Sequence, residues 1–194
     1  MLGLNPDTKI CIGSYAATIA RDFNRDVQRI IDTPKYREIF PKTFLNGSNV
    51  VTMANTYLRN SDVIEMVGHK GSLRVVGRGG ALTSKTVDVM IMDDVYKDYS
   101  EGNSPIVRNA AWKWYTTVVK KRLHNKSQEL IVFTRWHEED LIGKIEKGGE
   151  KIIDIKSWDS IKNIPDGAWV RINFEALKTG EPNEIDPREP GAAL

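Results

Sequence analysis

At 194 residues, 40% hydrophobic and 28% charged, the chain has the size and composition of one globular domain with room for a short appendage, able to bury roughly 70% of its unfolded surface. A formal charge of +2 is too small to attract nucleic acid by itself, so any basic patch has to be local. The single cysteine, Cys11, excludes an internal disulfide, and no stretch has the ~20 apolar residues of a membrane span or a signal-peptide core, so a cytoplasmic protein is expected.

In chain order, strand-like and helix-like segments alternate. Lys9 to Tyr15 (KICIGSY) reads as a short buried strand. From about Ala16 to Asp32 the pattern is helical, with Ile19, Phe23, Val27 and Ile30 recurring at helical spacing. Thr33-Pro34 breaks that helix, and Tyr36 to Phe40 adds one more turn before Pro41. Short strands and turns are expected from Phe44 to Val76, with Val63 to Val67 and Leu73 to Val76 the best strand candidates. The Gly-rich segment GRGGALTSKT (Gly77 to Thr86) leads into VDVMIMDD (Val87 to Asp94), a strand suited to burial on both faces.

After a loop, Ser104-Pro105 supplies an N-cap and a first-turn proline for a helix running to about Leu123, with Trp112, Tyr115 and Val119 on one face. Glu129 to Thr134 (ELIVFT) reads as another buried strand, and His137 to Lys147 as a helix with an acidic start and a basic end. Lys151 to Ile155 suits a further strand. From 178 to 194 the chain turns polar and proline-rich, like a tail or linker, which makes residues 1–177 the domain. Strand, helix, strand, helix implies an α/β fold, with a mostly parallel sheet and helices on both faces.

Chemistry concentrates where two of these strands end. Asp93 and Asp94 would emerge at the carboxyl end of a buried strand, where open α/β sheets place their ligands. One acid there can hold a hydrated Mg²⁺ while the other orients or deprotonates an attacking water. The same residues also suit a strand that simply stops at a polar turn. About 40 residues further on, Thr134, Arg135 and Trp136 would emerge beside them if the two strands are neighbours. A hydroxyl and a guanidinium in that position can sense a γ-phosphate and stabilise its charge. Lys120, Lys121, Arg122, His124 and Lys126 form a basic cluster, readable as a phosphate contact or as a solvated helix end. The histidines are scattered and lack the spacing of a zinc site.

Together, VDVMIMDD, AAWKWYTTVVKKRL (Ala110 to Leu123) and LIVFTRWHEEDLIG (Leu130 to Gly143) resemble the ATPase domain of the large terminase subunit. That subunit is the DNA-packaging motor of tailed bacteriophages and prophages. SYAATIARDFNRDVQRIID (Ser14 to Asp32), GRGGALTSKTVD (Gly77 to Asp88) and DPREPGAAL (Asp186 to Leu194) extend the resemblance over most of the chain. It implies that Asp93 is the Walker B aspartate holding Mg²⁺ through water, and that Asp94 is the catalytic carboxylate positioning the lytic water. It implies that Thr134 and Arg135 belong to a coupling motif, and that Arg78 or Lys85 is an arginine-finger-type residue. ATP and Mg²⁺ as cofactors follow from the resemblance. So do double-stranded DNA, a small terminase subunit and a portal protein as partners, a homo-oligomeric ring, and a bacterial host cytoplasm.

The chain departs from that pattern at Asp94, a position that is more often Glu across the motor families, and more strongly in its phosphate-binding loop. No G-x-x-x-x-G-K-[ST] loop occurs in the 194 residues, and GALTSKT (Gly80 to Thr86) runs into a strand rather than opening a helix. In the family the P-loop and its strand would precede residue 1 and a nuclease domain would follow residue 194. The expected core is therefore P-loop NTPase-like without its first strand, and the chain alone is expected to be inactive. The competing expectation is a non-catalytic fragment or decayed prophage product that serves as an interaction or DNA-binding module. A third, a nuclease metal site at Asp93 and Asp94, lacks further carboxylates in comparable settings.

Overall fold

The computed structural model describes residues 1–52, 56–82 and 86–194. Two compact units divide the chain, Met1–Leu141 and Ile142–Leu194. The first unit is built on five strands: β1 (Lys9–Ser14), β2 (Val63–Glu65), β3 (Ser72–Gly77), β4 (Val87–Asp93) and β5 (Leu123–Val132). They form one mixed sheet in the order β2-β3-β1-β4-β5. β3, β1, β4 and β5 run parallel, and the short β2 pairs antiparallel with β3 at one edge. The α/β class expected from the sequence is present. β2 reaches β3 through the short segment 66–71, which suits an antiparallel pair and is too short for a parallel crossover.

β1 is the central strand, and all but its first residue are buried, as a parallel strand covered on two faces requires. Alternation along the strands separates the two faces. Ile10, Ile12, Leu73 and Val89 share a buried cluster with Ala20 and Ile31 of α1 (Ala17–Ile31). A side chain at Gly13 would instead meet Met90 and Trp114, the last residue of α4 (Pro105–Trp114). Helices therefore lie on both faces.

Within α1 the buried residues are Ala20, Asn24 and Ile31; of the expected stripe Ile19, Phe23, Val27 and Ile30, Val27 packs against the core cluster. Phe23 and Ile30 are exposed. Asn24 holds the core position because its amide donates to the carbonyls of Asn60 and Ser61, at 3.0 and 2.8 Å. That satisfies a buried polar side chain whose position no hydrophobic periodicity reveals. Thr33 then caps α2 (Pro34–Ile39), accepting from the Tyr36 amide.

After β4 the chain forms α3 (Tyr99–Asn103), capped by Asp98, and then α4, capped by Ser104 with Pro105 in its first turn. The helix expected to reach Leu123 changes character after Trp114. Tyr115–Val119 is a π-helical turn and Lys120–Arg122 a 3₁₀ turn. Thr116 and Thr117 hydroxyls donate back to the carbonyls of Trp112 and Lys113, which competes with the regular ladder and opens it. Trp114, rather than Trp112, is the deeply buried indole, and its Nε1 donates to the Gly80 carbonyl.

β5 begins six residues earlier than expected. A bulge lies between the Val87 and Val89 pairings, where the Ser127 hydroxyl donates to the Val87 carbonyl. Glu129, Leu130, Ile131 and Val132 then pair with Met90, Ile91, Met92 and Asp93.

The second unit contains β6 (Ile152–Asp154) paired in parallel with β7 (Trp169–Arg171). α5 (Leu141–Lys147) starts at the last residue of the first unit, four residues later than the expected helix. Arg171 joins this small sheet to α5, donating to Asp154 and Glu146. The polar C-terminal stretch is tied back on itself. Leu177 bridges Ala193, and Asp186, nearly buried, takes ion pairs from Arg188 and Lys178. No helix among the described residues is long and apolar enough to cross a membrane.

Candidate functional site

The carboxyl ends of the four parallel strands bring together Ser14, Arg78, the Asp93-Asp94 pair and the Phe133–Trp136 turn. Backbone hydrogen bonds stitch these ends. The Arg78 amide donates to the Ser14 carbonyl (2.7 Å), the Tyr15 amide to the Asp94 carbonyl (2.9 Å), and the Asp94 amide to the Val132 carbonyl (3.0 Å). Asp93 is the last residue of β4 and pairs with Val132, so Thr134 lies two residues beyond the pairing, on the adjacent strand end. β4 and β5 are neighbours, as the placement of these residues required.

Asp94 is just past the strand with φ of 43°, the one described non-glycine residue with positive φ. Aspartate is among the few residues that visit this region, and strained backbone of this kind collects at functional sites. Asp94 is exposed and Asp93 half-buried. Burial raises the Asp93 carboxyl above its ordinary range, and the like charge of Asp94 raises it further. Neither carboxylate has a hydrogen bond or ion pair among the described residues. Two adjacent acids without a cation form a locally negative site, suited to a positively charged ligand.

Ser14 ends β1 at the same edge. It is 2% exposed, and its hydroxyl has no hydrogen-bond partner among the described residues. Sequence reasoning passed over it as part of a strand. The only sequence signal was a hydroxyl at the point where an apolar run gives way to a helix.

The other candidates have different surroundings. Arg78 is largely buried. Its guanidinium donates to both Glu101 carboxylate oxygens (2.9 and 3.2 Å) and to the Val95 carbonyl, and lies over the Tyr96 ring. Its fork is thus engaged inside the chain, and this bonding holds Glu101 below the usual carboxylate range. Lys85 lies outside the described residues, as does the centre of the GALTSKT segment. Thr134 and Arg135 are exposed. Arg135 Nε donates to Asp140 at 2.8 Å, and Asp140 also accepts from the Trp136 amide at 3.3 Å.

Asp140 is fully buried and was missed as well, because HEED reads as the acidic first turn of a helix. It instead organises the turn before α5, a task to which short carboxylates next to helix starts are suited. The loops after Asp94 and Val132 pack together. Tyr96 meets Phe133 edge-on at 5.7 Å between centroids, and Tyr99 meets Trp136 at 6.4 Å. Arg108 of α4 donates to the Gly102 carbonyl and pairs with Glu139 at 3.8 Å.

The basic cluster is largely used within the fold. Lys120 pairs with Glu129 at 2.8 Å, Arg122 donates to the Leu82 carbonyl, and His124 Nε2 meets Asp88 at 2.8 Å. At the sheet edge, β5 is bonded, among the described strands, to β4 alone. Leu130 and Val132, 52% and 50% exposed, project on the same face as Ile91 and Asp93. Among the described residues no group of three or more His, Cys, Asp or Glu side chains is arranged to enclose a metal ion. The site is therefore two unpartnered carboxylates with a buried hydroxyl beside them, chemistry suited to a cation that keeps most of its own water. No protein-family model matches the chain, and no curated protein matches it.

Proposed function

We propose that Asp93, Asp94 and the Thr134–Arg135 turn are the metal- and water-handling half of a phosphoryl-transfer site, in an ATP-driven DNA-packaging motor of the large-terminase type. The observation that carries this is the placement of two unpartnered carboxylates at the carboxyl end of a buried parallel strand, beside the strand that leads to Thr134. In this scheme Asp93 holds Mg²⁺ through water. Two carboxylates without an enclosing ligand cluster fit that mode, since Mg²⁺ commonly keeps several waters and takes its remaining ligands from substrate phosphates. When bound, the ion neutralises charge on the phosphates. Asp94 orients the attacking water, and its exposure at the strand end suits that role. Thr134 and Arg135 report nucleotide state to the loop pair that packs Tyr96 on Phe133 and Tyr99 on Trp136.

The grip on the phosphates is assigned to an additional strand and P-loop outside these 194 residues. The free outer edge of β5 and the exposed Leu130 and Val132 beside it are consistent with that assignment. Double-stranded DNA, a small terminase subunit, a portal and a subunit ring are the partners this function requires.

The test is ATP turnover by this chain extended with an upstream strand and P-loop. Measurable hydrolysis, slowed at least 100-fold by Asp94→Asn, is the expected result. Turnover that Asp94→Asn leaves untouched removes Asp94 from its role. No turnover in any extended form favours a non-catalytic module.

A further inference from the structure

We propose that Ser14 is a third member of the cation site, its hydroxyl hydrogen-bonding the water shell of a divalent ion held beside Asp93. This rests on the reading that Asp93 holds such an ion.

The register supplies the placement. β1 and β4 pair in parallel through Gly13 and Met92, so Ser14 and Asp93 are the next positions on the two strands. Gly13 faces Met90 and Trp114. Ser14 therefore projects to the opposite face, which holds Ile10, Ile12 and Val89. Asp93 alternates to that same face from Met92. Neighbouring strands lie about 4.8 Å apart, a separation that a water molecule or a hydrated ion bridges more readily than a direct hydrogen bond.

Nothing else among the described residues accounts for the hydroxyl. Ser14 is 2% exposed and its Oγ has no partner among the described residues. A buried, unsatisfied hydroxyl is destabilising, and an alanine would fill the position without that cost. Capping does not explain it either. The residue before α1 is Ala16, and no side chain caps that helix. A serine at such a point, next to two carboxylates that also lack partners among the described residues, is matched by a ligand bringing its own hydrogen-bonding water. A hydrated divalent cation satisfies all three groups at once. Its charge answers the carboxylates, and its waters have lone pairs and protons to exchange with the hydroxyl.

The test is a Mn²⁺ titration of the chain followed by electron paramagnetic resonance, with Mg²⁺ as competitor and no nucleotide. Wild type, Ser14→Ala and Asp93→Asn are compared, and each is also melted by circular dichroism. Ser14→Ala is expected to melt at or above the wild-type temperature while binding Mn²⁺ about tenfold more weakly. Asp93→Asn should lose Mn²⁺ binding. If Ser14→Ala keeps wild-type affinity while Asp93→Asn loses it, the role of Ser14 is overturned and Asp93 stands. If neither substitution changes Mn²⁺ binding, both assignments fall. If Ser14→Ala melts well below wild type, the hydroxyl is structural and the inference is overturned.

Discussion

Asp94 has the most constrained backbone at the site. Its φ of 43° is held from both sides, by the Tyr15 amide bonded to its carbonyl and by its own amide bonded to Val132. Residues with a Cβ find this region costly, whereas Asn and Asp tolerate it. In urea denaturation, Asp94→Ala is expected to lose about 1 kcal/mol of stability. Asp94→Asn is expected to lose none, because it keeps the tolerated shape and removes a like charge next to Asp93. The same substitution that should silence hydrolysis in an extended protein thus leaves the fold intact. At this scale the sequence was informative about the acids, since an apolar run ending in two carboxylates marks a strand end directly. It was silent about Ser14, Asn24 and Asp140. Their burial comes from register, from a carbonyl pair at Asn60 and Ser61, and from a turn, none of which leaves a periodic trace.

Two loops follow the acids and the Thr134 strand, and they behave as one packed element. Gly102 is the tightest point between them, because a Cβ there would collide with the Trp136 side chain. Gly102→Ala is expected to destabilise the first unit by about 1–3 kcal/mol and to alter Trp136 fluorescence, checked by thermal melting and emission spectra. The element pattern was largely visible beforehand. β1, α1, α2, β3, β4 and β6 fall close to where strand and helix signals put them, because apolar alternation and the Thr33-Pro34 and Ser104-Pro105 boundaries are local. The misjudged elements depend on side chains bonding to backbone. Thr116 and Thr117 open the helix after Trp114, Ser127 seats the bulge that starts β5 early, and Asp140 delays α5.

Across the molecule, several carboxylates titrate below their ordinary range. Burial pushes Asp88 up, but bonds from the Lys9 amide and His124 outweigh it. Arg78 lowers Glu101 and Arg171 lowers Asp154, in each case against burial. A depressed folded pKa gives stability that is present above the unfolded value, near 4, and is lost as pH falls through the folded value. The urea midpoint is therefore expected to stay level from about pH 8 to pH 5 and to decline below about pH 4. High salt should shallow that decline, since these pairs are partly exposed. The alternation of strands and helices made the α/β class legible, but strand order was not, because neighbours in the sheet are distant in sequence.

That order carries a consequence in time. β1 is made well before both of its partners, since β3 and β4 follow it by roughly 60 to 80 residues. The centre of the sheet cannot close until β4 has left the ribosome, and the pairings of β1 are both of long sequence separation. Such topologies fold slowly, so the nascent chain carries β1 as an unpaired apolar strand until β3 and β4 emerge.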